Sequence, residues 1–81
     1  MTVNAFNLVR TEDGRKFTII HRIDRDGRSV VTTKDAFGNP VWDYCSIRDN
    51  IGDACAIVNR FVTDCFSLGY VAIVDEHEIK Q

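Results

Sequence analysis

Long apolar stretches are missing from this 81-residue chain: the longest uninterrupted runs are Ala54 to Val58, ACAIV, and Tyr70 to Val74, YVAIV. A helix that spans a bilayer needs roughly 18 apolar residues or more, so no transmembrane helix is expected. The first residues, MTVNAFNLVR, lack a basic start followed by a long apolar stretch. No leader is expected from them, and the expected compartment is the cytoplasm. Proline occurs once, and the five glycines stand singly at Gly14, Gly27, Gly38, Gly52 and Gly69. Neither Gly-x-x-x-x-Gly-Lys-Ser/Thr nor Gly-x-Gly-x-x-Gly is present, which excludes those phosphate cradles. There is no Gly-x-Ser-x-Gly nucleophile elbow either. A basic excess is also lacking: ten Lys and Arg face twelve Asp and Glu, a net charge of −2. A protein that binds mainly by neutralising phosphates carries the opposite balance. The length admits one domain, residues 1–81.

Close cysteine pairs are absent too. Cys45, Cys55 and Cys65 are spaced by tens, whereas structural zinc sites use Cys-x₂₋₄-Cys pairs. Neither a metal nor another cofactor is expected, with His21 and His77 the only imidazoles. On a shared helix Cys55 and Cys65 stand about 15 Å apart along the axis, too far for a disulfide. They read as reduced, buried thiols acting as small hydrophobes. Cys45, at a strand-to-helix junction, is the one thiol that offers a nucleophile for a thiol enzyme, and such chemistry needs a base beside it. Asp75-Glu76-His77-Glu78 has acid, base and ligand types together, but a polar tail over 75–81 is expected to fray, without the rigid placement catalysis needs.

What is present reads as strands, then a helix, then a strand. Residues 3–10, 16–24 and 28–34 show strand alternation or β-branched enrichment. Asp13-Gly14 and Asp26-Gly27 mark hairpin turns in which both positions tolerate positive φ. Residues 35–40 (DAFGNP) read as a loop and 41–45 (VWDYC) as a short fourth strand. Residues 49–68 form an amphipathic helix, with Ser46 or Asp49 as its cap and Gly69 ending it. Its apolar half includes Ile51, Ala54, Cys55, Val58, Phe61, Val62, Cys65, Phe66 and Leu68. Residues 70–74, apolar on both faces, form a fifth strand that can pair antiparallel beside the first. The expectation is an α+β fold: a mostly antiparallel sheet of four to five strands, β-β-β-β-α-β, with one amphipathic helix on one face.

One helix cannot cover both faces of such a sheet, yet the alternation places apolar residues on both. Phe6 and Leu8 oppose Val3, Ala5 and Val9; Phe17, Ile19, His21 and Ile23 oppose Ile20; Val30 opposes Val31; Tyr70 and Ala72 oppose Val71 and Ile73. The pattern does not say which set meets the helix. An uncovered apolar face marks an interaction site. The expected function is therefore a small, non-enzymatic protein–protein interaction module, a regulator or inhibitor that occludes part of a larger machine in the manner of small phage or mobile-element proteins. Homodimerisation through the open face is a second expectation. Asp49, Asp53, Arg60 and Asp64 form a mainly acidic helix face that could orient a basic partner, and Phe37, Trp42 and Tyr44 are candidate aromatic anchors. The alternative is nucleic-acid binding through Arg22, Arg25, Arg28 and Lys34 around the second hairpin, with Phe6 or Tyr70 as stacking surfaces.

Overall fold

The computed structural model describes residues 1–73. The order is β1 (Thr2–Arg10), β2 (Lys16–Ile23), β3 (Ser29–Asp35), a 3₁₀ turn at Trp42–Tyr44, β4 (Ser46–Arg48), α1 (Ile51–Ser67) and β5 (Tyr70–Ala72). The strands make one five-stranded sheet in the order β4-β3-β2-β1-β5, with every neighbouring pair antiparallel. The fold is thus α+β with one helix, and β5 lies beside β1 as the direction count requires. Among the described residues no helix is long and apolar enough to cross a membrane.

Tight turns set the register. In the β2–β3 turn the Asp24 carboxylate accepts the backbone N–H groups of Asp26 and Arg28, each at 2.9 Å. Gly27, at φ 80°, donates to the Asp24 carbonyl. The turn after β3 repeats this one. Asp35 accepts the N–H groups of Phe37 and Asn39, each at 2.9 Å, and Gly38 sits at φ 83°. An aspartate that clamps two amides, followed three residues later by a glycine able to take positive φ, explains both. Among the described residues none but glycine has positive φ, so Asp13 and Asp26 are not left-handed positions and neither hairpin is a two-residue turn.

The second clamp folds the chain back along β3: Pro40 bridges Lys34, and Val41 N–H donates to the Thr33 carbonyl at 2.7 Å. Residues 41–45 are therefore not a strand. They form the 3₁₀ turn, and pairing with β3 resumes only at Ser46. The turn swings Tyr44 inward. Its ring lies 6.5 Å from that of Phe17 and 5.1 Å from that of Phe61, while Phe17 stacks on Tyr70 at 4.9 Å. These rings close one end of a core made of Leu8, Ile19, Val31, Ala54, Val58, Cys65 and Tyr70.

The helix starts later than Ser46 or Asp49 would cap it. Asn50 is the N-cap: its side-chain oxygen accepts the Asp53 N–H at 2.8 Å, and its amide donates to the Asp53 carboxylate at 3.1 Å. This is a reciprocal cap, and Asn is as good a cap residue as Asp. The buried stripe is narrower than half the helix. Ala54, Val58 and Cys65 are buried, whereas Ile51, Cys55, Phe66 and Leu68 are exposed. The sheet receives only a stripe of side chains spaced three and four apart. Cys55, about 100° round from Ala54, falls on the flank.

Two measurements check this core. Ile19→Ala, which empties a fully buried site at the sheet centre, should cost about 2–5 kcal/mol. Asn50→Ala should cost about 1 kcal/mol. Urea unfolding should show both as shifted midpoints with an unchanged slope.

Candidate functional site: the uncovered sheet face

The register decides which alternation set meets the helix. Phe6 pairs with Ile19 and Leu8 with Phe17; Ile19 pairs with Thr33 and His21 with Val31; Arg10 pairs with Tyr70. These residues share the helix side. The other side presents Val9, Ile20, Val30, Ile47, Val71 and Ile73. Ile47, Val71 and Ile73 keep 58%, 46% and 44% of their surface exposed. The same face presents Asn7, Thr18 and Thr32 between the apolar residues, with Thr18 donating its hydroxyl to Asn7 at 3.0 Å. Parity also places Lys16, Arg22 and Lys34 there. No aspartate or glutamate of the described strands shares that face.

Five strands at about 4.8 Å spacing and six or seven residues of length give this face an area on the order of 500 Å². The largest apolar patch on a typical monomer covers about 300–600 Å² and is often functional; here the apolar residues share the face with Asn7, Thr18, Thr32 and three cations. The whole face is more than half of the roughly 800 Å² that one partner contributes to a standard protein interface.

The sequence candidates disperse around this face. Phe37 and Trp42 are 89% and 77% exposed, at the end of the sheet where β2 begins, but Tyr44 belongs to the core. Asp49, before the helix cap, and Asp53, Arg60 and Asp64 on the helix are all exposed, yet Asp53 is held in the helix cap and Asp64 stands about 16 Å further along the axis. They do not form one compact patch. In the basic hairpin Arg28 pairs with Asp24 at 3.5 Å and Asp26 at 3.4 Å. The Asp24 carboxyl is held below its ordinary value, first by the Arg28 N–H and then by that of Asp26. Arg25 is exposed near the tip. Arg22 and Lys34 share the open face, but in β2 register they lie about 13 Å apart. The stacking surfaces offered for nucleic acid are on the wrong side: Phe6 and Tyr70 both pack toward the helix.

The cysteines also sort by environment. The half-buried Cys45 thiol donates to the Val41 carbonyl at 3.3 Å. Activation as a nucleophile needs a base beside the sulfur, and among the described residues no basic side chain hydrogen-bonds to it. Cys65 is buried, and burial, followed by the nearby Asp64 charge, pushes its thiol above the ordinary value of 9.0. Cys55 is exposed, on the rim of a shallow groove of about 60 Å³ that Val3, Phe6, His21 and Val58 also line. The buried His21 Nε2 has no hydrogen-bond partner among the described residues. Among the described residues no three His, Cys, Asp or Glu side chains gather where they could hold a metal. Asp75-Glu76-His77-Glu78 and the tail at 75–81 lie outside the described residues.

Sequence reading missed Lys16, Ile47, Val71 and Ile73 as members of one face. Parity along each strand was available, but which faces of different strands coincide depends on pairing register. The part of β1 before Asn7, which the described residues of β5 do not pair, is a poorer docking place than the face. A register shift lies between Thr2 and Asn4, and the Asn4 side chain accepts the Ala5 N–H at 2.9 Å. Both devices blunt an edge against pairing with another chain.

A limiting dose of a thiol reagent should label Cys55 first, Cys45 slowly and Cys65 only on unfolding, read by peptide mass mapping. Because the folded Cys65 pKa is raised, folding stability should fall as pH rises through 9. Cys65→Ala should remove part of that alkaline slope in urea titrations.

No family model, curated protein or solved structure matches this chain.

Proposed function

We propose that this chain is a non-enzymatic protein-binding module. It docks a larger partner through the uncovered sheet face and acts by occlusion, as a cytoplasmic regulator or inhibitor of the phage or mobile-element kind. One observation carries this reading: an uncovered sheet face of about 500 Å² in all, on which Ile47, Val71 and Ile73 remain substantially exposed among polar and cationic residues. Exposed isoleucine and valine desolvate at roughly 25 cal/mol per Å² when covered, so a complementary surface gains affinity there without chemistry. Phe37 and Trp42, exposed at one end of the sheet, extend the contact as aromatic anchors.

Nucleic-acid binding is the second reading. It is favoured by Lys16, Arg22 and Lys34 sharing a face free of carboxylates among the described strands.

The test is affinity purification of the intact chain from its native host, with mass spectrometry, beside a Val30→Glu/Ile47→Glu double variant. These two residues pair across β3 and β4. Wild type should retain one stoichiometric protein and the variant should lose it, while circular dichroism stays unchanged. Equal retention by both proteins would remove the sheet face as the docking surface. Retention on an oligonucleotide column at low salt, weakened by Arg22→Ala, Arg25→Ala and Arg28→Ala together, would instead favour the second reading.

A further inference from the structure

We infer, resting on the protein-binding reading above, that the end of the open face around Lys16 receives an extended acidic segment of the partner. That segment is four or five residues long and places a carboxylate between two apolar side chains.

Two adjoining depressions meet at Lys16 and Phe17. One, of about 320 Å³, also takes in Asn7, Thr18 and Ile73. The other, of about 240 Å³, also takes in Arg15, Asp35, Phe37 and Val41. Together they run from β5 across β1 and β2 to the turn after β3. That is three strand spacings, about 14 Å, which four or five extended residues span. The two ends are apolar, with Ile73 at one and Phe37 with Val41 at the other. The middle is cationic. Among the described residues neither Arg15 nor Lys16 is in an ion pair. Lys34 stands next to Thr18 across the β2–β3 ladder. Asp35, the one acidic residue in the lining, is engaged by the amides of Phe37 and Asn39.

This charge pattern chooses the occupant. A second copy docked face to face would bring its own Lys16, Arg22 and Lys34 against the first set, with no carboxylate of the described strands on either face to answer them. A nucleic-acid strand would find no row of rings across the strands to stack on, since Phe6, Phe17 and Tyr70 pack toward the helix and the exposed ring in the lining, Phe37, stands at one end. A segment with carboxylates among apolar residues answers both the cations and the apolar ends.

Selection of random dodecapeptides displayed on phage against the full chain tests this. Selected peptides should share an acidic residue flanked within five positions by apolar ones. In a polarisation titration with the labelled synthetic peptide, Lys16→Glu should weaken binding about tenfold or more and Phe37→Ala severalfold. Val30→Glu/Ile47→Glu, at the far end of the face, should change it less than about twofold. Replacing the peptide's carboxylate by lysine should restore binding to Lys16→Glu. No enriched peptide, enrichment without acidic residues, indifference to Lys16→Glu, or displacement by single-stranded oligothymidylate would each overturn the inference. Loss of the host partner from Val30→Glu/Ile47→Glu but not from Lys16→Glu would sink the acidic segment and leave the binding module standing.

Discussion

A single helix laid on a five-stranded sheet is the constraint from which the other features follow. Seventeen residues make a rod about 25 Å long and 10 Å wide. A five-stranded sheet is about 24 Å across and has two faces. The helix packs against β4, β3, β5 and β2, and the aromatic rings of Phe17, Tyr44, Phe61 and Tyr70 fill the space at one end. Everything on the opposite face stays in contact with water. In a chain this short, no further element is left over among the described residues to cover it.

The second regularity is how the charges are engaged. Arg10 closes the β1–β2 corner by bonding Asp13 and lying 5.5 Å over the Tyr70 ring. That contact ties the end of β1 to the start of β5, and the guanidinium, together with the Arg15 N–H, holds the Asp13 carboxyl well below the usual range. Arg28 does similar work for the second hairpin. These pairs are exposed and contribute little to stability, but they neutralise the turns locally. Outside the ion pairs among the described residues are the cations of the open face and the carboxylates on the far side of the helix. The molecule therefore presents two sides of different sign, a pattern that selects partners and orients their approach.

The same arrangement separates edge from face as routes to association. Strand edges invite unplanned pairing, and here the long β1 carries an irregularity and a side chain bonded to its own outward backbone. The face has no such protection. Its threonines and single cations interrupt the apolar residues without covering them, and it is this surface that the proposed partner would desolvate.

Much of this was legible in the residues alone. Strand alternation, the single amphipathic helix and the antiparallel return of the last strand depend on local periodicity and on counting directions, so the α+β architecture could be read from them. The excess of greasy strand surface over what one helix hides was legible for the same reason. The 3₁₀ turn that replaced a strand at 41–45 was not, because the Asp35 clamp and the β3 register throw Tyr44 into a core that only exists once the sheet has formed. Nor could the sequence say that Cys55 faces water while Cys65 does not, since the diagonal path of the helix sets how wide a stripe is buried. Whether Phe6 or Val9, Ile19 or Ile20 turned inward was decided by the pairing of strands distant in sequence. Local chemistry determines that a strand has two faces, and only long-range packing selects the one that stays bare.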